Sequence, residues 1–212
     1  MNRPIALALV ALCALVAPPA VAGPPDPAPS TIPQNVTLVG RDASGQADPI
    51  GFATVVIRDL ANNPVPGVDV LIDFSTTPDM RLAAAQPDPA IVSVNCSSGP
   101  VLRVVTDANG SVTFRIVGQA VGNPSTPSNS STLRFYSQGI YLGSAFLHAF
   151  DLDGGGVGAS DLSAWLNDFF SGNSWARSDY NGSLIVDPGD LSVWLKAFFG
   201  SNSIQSGGAL CP

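Results

Sequence analysis

A tandem repeat near the C-terminus restricts the fold of this chain more than any other feature. The segment DLSAWLNDFF at residues 161–170 returns as DLSVWLKAFF at residues 190–199, an offset of 29 positions. Upstream, DLDG at 151–154 matches DYNG at 179–182, an offset of 28 positions. The two offsets differ by one position, which places a deletion of one residue inside the first loop. The chain therefore contains two copies of a unit in which an acidic loop leads into a helix.

Both repeated helices carry a stripe of apolar residues at the spacing i, i+3, i+4 and i+7. The stripes are Leu162, Trp165, Leu166 and Phe169 in the first copy, and Leu191, Trp194, Leu195 and Phe198 in the second. The two stripes are predicted to pack against each other as the core of a helix pair. Phe170 and Phe199 extend the stripes and could instead contact a partner protein. A unit of about 50 residues holds only a small core, so a bound ion, a neighbouring domain or a disulfide is expected to support it.

Acidic residues are concentrated in the two loops of the repeat. Seven of the 16 aspartates of the chain fall between residues 151 and 190, where Arg177 is the only basic residue. The chain has no glutamate, a single lysine and a net charge of −7. This acidic, lysine-poor composition provides no basic surface for nucleic acid and little attraction to anionic lipid. The acids in the loops indicate a bound cation instead.

The second loop has the spacing of a calcium loop. Calcium prefers about six to eight oxygen ligands, and side chains at alternating positions of a tight loop converge on one point. The predicted ligands, at loop positions 1, 3, 5, 7, 9 and 12, are Asp179, Asn181, Ser183, the carbonyl of Ile185, Asp187 and Asp190. Leu184 takes position 6, where a glycine is usual, so we expect strain in the turn there.

The first loop is a less complete version of the same pattern. Asp151 and Asp153 occupy the first two ligand positions, and Asp161 stands at the start of the following helix. Gly155 offers no side-chain oxygen, and the loop is one residue shorter. Three consecutive glycines give the backbone freedom to wrap an ion with its carbonyls. We therefore include these three acids among the predicted calcium ligands.

Helix capping is the alternative explanation of the acids at the helix starts. In the second copy the residues concerned are Asp187 as N-cap, Pro188 as the first helical residue, Asp190 as the N3 acid and Gly200 as C′. Asp161 would serve the dipole of the first helix in the same way. Capping accounts for these acids but not for Asp179 and Asn181, which is why a metal is favoured.

Residues 35–149 show a β pattern with no helical period. Eight short runs are rich in Val, Ile, Thr and Phe: NVTLVG, GFATVVIRD, VDVLIDFS, AIVSV, VLRVVTD, SVTFRIVG, TLRFYSQ and IYLGSAFL. Turn residues separate them at the spacing of a β-sandwich. The clearest turn is DANG at 107–110, where Asn-Gly supplies the positive φ angles that a hairpin needs. A mainly β fold, with a β-sandwich in this part of the chain, is predicted.

Two motifs in this β region resemble the bacterial immunoglobulin-like domains of the invasin and intimin type. They are VVIRDLANNPVPGVDVLIDF at 55–74, with the NPVPG turn between strands, and VVTDANGSVTFRIVG at 104–118, with the TD-x-x-G hairpin. Ala61-Asn62 stands where family members often have a glycine. The resemblance implies an immunoglobulin-like sandwich over residues 35–149. Such domains act as spacers or as adhesive modules, and the motifs leave both roles open.

The repeat at residues 150–200 resembles dockerin modules, which are tandem calcium-binding loop–helix units related to half an EF-hand used twice. The resemblance rests on the acidic loop starts and on the DL pair that opens each helix, at Asp161 and Asp190. It implies a small α-helical, EF-hand-like domain with calcium as cofactor. In cellulosomes, dockerins dock an enzyme onto cohesin domains, so it also implies a protein partner.

The N-terminus has the pattern of a secretory signal peptide over residues 1–22: a basic residue, a short apolar run and an A-x-A site. A Pro-rich leader is expected at 23–34 and a C-terminal tail at 201–212. The exported chain would retain Cys96 and Cys211. In an oxidising compartment two such cysteines are predicted to pair, which would tie the tail to the first domain.

No catalytic motif is recognisable, and His148, the only histidine, is predicted to be structural. The sequence thus predicts a secreted or cell-surface, non-enzymatic protein that binds calcium and serves in attachment or assembly, without membrane insertion. One alternative is an adhesin whose immunoglobulin-like domain binds a glycan or a host protein. A second is an accessory protein of polysaccharide degradation that docks to cohesin-like partners. An enzyme on the sandwich is the weakest alternative.

Overall fold

The computed structural model describes residues 22–97, 99–122, 128–172, 175–200 and 208–212. The predicted signal peptide at 1–22 lies outside these ranges except for Ala22, and so does most of the tail at 201–212. The Pro-rich leader at 23–34 is not a free extension, because its backbone bonds to the strand region at Asp26 and Thr31, each at 2.8 Å.

The described residues form a mainly β structure followed by two helices, as the sequence predicted at this level. The strands are β1 (Asn35–Val39), β2 (Ala53–Val56), β3 (Asp69–Asp73), β4 (Met80–Leu82), β5 (Ile91–Asn95), β6 (Val101–Val105), β7 (Ser111–Phe114), β8 (Ile116–Ala120), β9 (Thr132–Ser137) and β10 (Ile140–Ala149). The helices are α1 (Ala159–Phe170) and α2 (Pro188–Gly200), with a 3-10 turn at Ala176–Ser178 between them.

Eight of the strands form one large curled sheet in the order β4-β8-β1-β10-β9-β3-β6-β5. β1 runs parallel to both of its neighbours, and the other pairs in this sheet are antiparallel. β2 and β7 form a separate antiparallel ribbon. The structure thus has one large sheet and a two-stranded ribbon, where the sequence predicted a sandwich of two sheets.

The run SVTFRIVG, which reads as one strand, is divided at Arg115 between the ribbon and the large sheet. The backbone N–H of Arg115 donates to a carboxylate oxygen of Asp88 at 3.1 Å, and its side chain donates to the same oxygen at 3.0 Å. Because this N–H is bound by a side chain, it is not available to a neighbouring strand. The chain therefore leaves β7 and enters β8 in the other sheet.

The DANG turn forms, but the strands that it joins do not pair as a hairpin. Gly110 has a φ of 69° and donates its N–H to Asp107 at 3.0 Å. β6 pairs with β3 and β5 in the large sheet, whereas β7 pairs with β2. The turn therefore carries the chain from one sheet to the other.

A disulfide joins Cys96 to Cys211, the pair expected from the sequence. Cys96 directly follows β5, at one edge of the large sheet. Cys211 lies beside β4, at the other edge, and donates its N–H to the carbonyl of Leu82 at 2.8 Å. The bond therefore ties together the two edges of the curled sheet.

One hydrophobic core spans the sheets and the helical repeat. Alternating residues of the strands, such as Val70 and Ile72, are fully buried because successive side chains of a strand point to opposite faces. The same cluster contains Trp165 of α1 and Trp194 of α2. Among the described residues, no helix has the length and apolar character needed to cross a membrane.

Candidate metal centre

The first acidic loop, residues 151–161, gathers three carboxylates around one point. One oxygen each of Asp151, Asp153 and Asp161 lie within 4.8 Å of one another. Asp151 and Asp161 are fully buried, whereas Asp153 is exposed. Within the described ranges, this is the one group of three acidic, histidine or cysteine side chains close enough to share a metal ion. An ion would enter from the solvent side of Asp153.

The first acid of each loop is held by backbone N–H groups that follow it. Asp151 accepts from the N–H groups three and five residues later, at 2.6 and 3.0 Å, the second being that of Gly156. Asp179 accepts from those four and five residues later, at 3.0 and 2.8 Å, the second being that of Leu184. In both loops the backbone therefore wraps around the first carboxylate.

The last acid of each loop closes it in the same way. Asp161 accepts hydrogen bonds from two backbone N–H groups: that of Leu152, nine residues earlier, at 2.5 Å, and that of Gly158, three residues earlier, at 2.7 Å. Asp190 accepts from the same two relative positions at 3.0 and 2.8 Å. Each carboxylate thus links the start of its loop to the first turn of its helix. The two loops are structural equivalents despite their different lengths.

This equivalence locates the deletion in the first loop. Gly156 and Leu184 are 28 positions apart and both have a left-handed backbone, with φ of 86° and 69°. Gly158 and Asp187, which donate to the closing acids, are 29 positions apart. The missing residue therefore lies next to Val157. Leu184 occupies the position where a calcium loop usually has glycine, and its positive φ is the strain expected there.

The other predicted ligands of the second loop bond to their own loop. The Asn181 side-chain oxygen accepts from the N–H of Ser183 at 2.8 Å, and the Ser183 hydroxyl donates to the Ile185 carbonyl at 3.1 Å. Asp187 accepts from the N–H of Gly189 at 2.7 Å, as an N-cap does. The capping geometry at the start of α2 is therefore present. It coexists with the loop that the first acid organises.

The two loops differ in how closely the structure brings their acidic side chains together. The second loop offers more side-chain oxygens by sequence, but two of its donors, Asn181 and Ser183, are neutral. The first loop is shorter but brings three carboxylates together. Each loop contains three aspartates, but within the described residues only those of the first loop are close enough together to share an ion.

The buried acids of both loops carry an electrostatic penalty. Burial raises the pKa of Asp161 to about 6, and the charges of Asp151 and Asp153 act in the same direction. Burial also raises the pKa of Asp151 and of Asp190, against the lowering effect of their backbone hydrogen bonds. No ion pair among the described residues involves a loop acid. A cation in the loops would remove this penalty because it favours the charged carboxylates.

Arg177, the only basic residue between the two loops, is bound elsewhere. Its guanidinium makes a buried two-bond ion pair with Asp168 of α1, at 2.8 and 2.9 Å, and donates to the carbonyl of Val121 at the end of β8 at 2.8 Å. Ser178 donates to the same carboxylate at 2.6 Å. This network fixes α1 and the 3-10 turn against the large sheet. Sequence reasoning missed it, although an isolated arginine among aspartates was a signal for it.

His148 lies at the junction between the large sheet and the second loop. It is fully buried in β10, and its two ring nitrogens face the carbonyl of Ala176 at 2.6 Å and the side-chain oxygen of Asn35 at 3.2 Å. Burial lowers the pKa of His148. Both nitrogens are engaged by structural groups, which fits the predicted structural role.

The apolar stripes of the helices are buried mainly at their tryptophans. Trp165 and Trp194 are 2% and 1% exposed, whereas Phe170 and Phe199 are 77% and 79% exposed. Leu166, beside Phe170, is also exposed. The two exposed rings are equivalent positions of the repeat, so each helix presents an apolar side chain to solvent at its C-terminal end.

Comparisons of this chain with protein-family models, with curated proteins and with solved structures found no match. The two resemblances drawn from the sequence therefore rest on the motifs that carry them.

Proposed function

We propose that this is an exported, non-enzymatic protein that binds calcium in its two acidic loops and uses the calcium-ordered helical repeat for attachment or assembly outside the cell. Its β part would serve as an immunoglobulin-like spacer, and the repeat as a dockerin-like module. The observation that carries the proposal is the equivalence of the two loops. Each closes on a buried carboxylate, Asp161 or Asp190, that no basic side chain of the described residues neutralises.

The donor set supports calcium over other metals. The first loop offers carboxylate and carbonyl oxygens, the second loop adds an amide and a hydroxyl oxygen, and neither contains histidine or cysteine. Hard cations prefer such oxygens, whereas zinc and copper sites use nitrogen and sulfur. Calcium also accepts variable ligand number and geometry, which suits two loops of unequal length, while magnesium demands near-octahedral geometry.

The attachment part rests on the two exposed phenylalanines. Exposed apolar patches mark interaction sites, and phenylalanine is enriched at protein–protein interfaces. Phe170 and Phe199 end the helices whose first turns the acids Asp161 and Asp190 hold. Calcium in a loop would therefore fix the orientation of the helix that presents the ring.

Calorimetric titration of the purified protein with calcium tests the metal sites. We expect saturable binding of two ions, with Asp161→Asn losing the first and Asp190→Asn losing the second. Asp107→Asn is the matched control, because Asp107 also accepts two backbone N–H groups, at 2.8 and 2.9 Å, in a turn outside the loops. Absence of saturable heat in the unaltered protein would reject calcium binding.

Co-sedimentation with the cell-envelope fraction of the source organism tests attachment. We expect binding in calcium that is lost in EDTA. The double variant Phe170→Ser, Phe199→Ser should lose it as well, while its calcium titration stays unchanged. Undiminished binding by this variant would show that the attachment surface lies elsewhere, for instance on the β part as in an adhesin.

A further inference from the structure

Residues 23–31 form a strap along one edge of β2. Thr31 exchanges two backbone hydrogen bonds with Val56, at 2.8 and 2.9 Å. Further towards the N-terminus, Asp26 donates its N–H to the carbonyl of Arg58 at 2.8 Å. Because β2 pairs with β7 on its other side, the strap covers the edge of the ribbon that would otherwise be open to another chain.

The start of the strap is held by a buried carboxylate. The N–H of Gly23 donates to Oδ2 of Asp59 at 2.9 Å, and Asp59 is only 5% exposed. The same carboxylate accepts from the backbone N–H and the side-chain amide of Asn63, at 2.8 and 3.1 Å. One carboxylate therefore joins residue 23 to the turn that carries the NPVPG motif.

This carboxylate has no basic partner. None of the ion pairs among the described residues involves Asp59. The guanidinium of Arg58, the next residue in the chain, donates to the carbonyl of Asn62 at 3.2 Å. The carboxylate of Asp26, on the strap, accepts from the N–H of Ala28 at 2.9 Å. Since buried carboxylates are usually paired with a cation, the partner of Asp59 has to come from another group.

The predicted removal of the signal peptide supplies such a group. The A-x-A site occupies residues 20–22, so the bond that is cut joins Ala22 to Gly23. In this hydrolysis water gives a hydroxyl group to the Ala22 carbonyl carbon and a hydrogen to the Gly23 nitrogen. The new α-amino group takes up a further proton at neutral pH, because its ordinary pKa is about 8. The atom that lies 2.9 Å from the Asp59 carboxylate thus becomes a cation.

We propose that Asp59 is the receptor for the N-terminus that export creates, and that the α-ammonium group of Gly23 and the Asp59 carboxylate form an ion pair in the mature protein. Hydrogen bonds between charged groups are about twice as strong as those between neutral groups. Cleavage therefore tightens the strap over β2. The inference rests on the export that is part of the proposed function, and it does not depend on calcium or on the helical repeat.

Mass spectrometry of the full-length chain, expressed for export in a host with a signal peptidase, tests the position of the new terminus. We expect an intact mass that corresponds to a chain beginning at Gly23, with the disulfide formed. A mature chain that begins at any other residue would overturn the ion pair, because the charge would then lie away from Asp59.

Melting temperatures of two forms of the protein test the ion pair itself. One form begins at Gly23, and the other begins at Ala20 and keeps the Gly23 N–H as a peptide group. Asp59→Asn should lower the melting temperature of the first form by at least about 2 °C more than that of the second. Ala22 packs against the core, and this difference of differences cancels its contribution. The matched control is Asp42→Asn, because Asp42 also accepts two backbone N–H groups, at 2.8 and 3.0 Å, and it should affect both forms equally.

The pKa of the α-amino group gives a second measurement that needs no variant. A carboxylate beside an amine raises the pKa of the amine, because it favours the charged form. The rate at which an amine reagent labels the terminus, followed against pH, should therefore give a midpoint about 1 unit or more above the ordinary value of about 8. In Asp59→Asn the midpoint should return to that value, while the labelling of Lys196 should not change.

The outcomes separate this inference from the proposed function. An ordinary pKa of the amine, or equal effects of Asp59→Asn on both forms, would overturn the ion pair and leave export and calcium binding standing. An uncleaved chain that stays inside the cell would overturn both. A terminus at Gly23 with a raised pKa of its amine would support Asp59 as its receptor.

Discussion

Cys96 and Cys211 stand 115 positions apart in the chain, yet their Cα atoms lie 4.9 Å apart at the place where the two edges of the curled sheet meet. Exposed sheet edges are templates for pairing with other chains, and proteins cover or close them. Here the C-terminal segment covers β4, and the disulfide fastens that segment to the end of β5. The bond therefore stabilises the curvature of the sheet as well as the tail.

The double variant Cys96→Ser, Cys211→Ser should lose about 2–5 kcal/mol of unfolding free energy, the usual range for a native disulfide that closes a long loop. Urea unfolding followed by circular dichroism measures this loss. The unaltered protein in reducing agent should lose a similar amount. Equal midpoints for the oxidised and reduced proteins would show that the sheet closes without the bond.

Arg177→Met should destabilise the protein by about 3–5 kcal/mol, because it leaves the buried Asp168 carboxylate without its partner. The matched control is Arg103→Met. Arg103 pairs with Asp69 at 2.7 Å, but both side chains are over a third exposed, and such pairs contribute about 0–1 kcal/mol. Urea midpoints of both variants give the comparison.

Restoring neutrality should recover part of this loss. The double variant Arg177→Met, Asp168→Asn removes both charges and should be more stable than Arg177→Met alone. If the single and double variants were equally unstable, the lost hydrogen bond from Arg177 to the carbonyl of Val121 would be the larger contribution.

Local patterns in the sequence were sufficient to predict the mainly β class and the two repeated helices. Alternating residues such as Val70 and Ile72 define strands, and apolar spacing around Trp165 and Trp194 defines helices, because both patterns depend on neighbours in the chain. Which strands pair was not predictable in this way. The division at Arg115 depends on a bond to Asp88, 27 positions away, which no local pattern reports.

The candidate site was predictable to a similar extent. The spacing of the acids identified both loops and the strained position of Leu184. Burial decides the rest, since the raised pKa of Asp161 comes first from its burial and then from the charges of Asp151 and Asp153. The role of Arg177 depends on its bonds to Asp168 and to the carbonyl of Val121, and no local pattern in the sequence reports these contacts.

Leu184→Gly should stabilise the protein by about 1 kcal/mol, because a left-handed backbone costs a residue with a Cβ atom about 1–2 kcal/mol and glycine far less. Little burial is lost, since Leu184 is 56% exposed. Calcium affinity of the second loop should rise as well, while Gln138→Gly, at a φ of 50° in the turn between β9 and β10, should raise stability alone. An unchanged calcium affinity in Leu184→Gly would separate the strain from metal binding.

The calcium-free protein should become less stable as the pH rises from about 4 to about 6. Asp161 has a pKa of about 6 in the folded protein against an ordinary value of 3.8, so in this range the folded state binds more protons than the unfolded state. Stability therefore falls with rising pH, by at most about 3 kcal/mol once the group is fully charged. Urea unfolding in EDTA at pH 4.5 and pH 7 measures the difference, and Asp161→Asn should reduce it. Saturating calcium should abolish the loss at pH 7, because the ion stabilises the charged carboxylate. A protein that is more stable at pH 7 than at pH 4.5 without calcium would show that the loop acids are already neutralised by the protein itself.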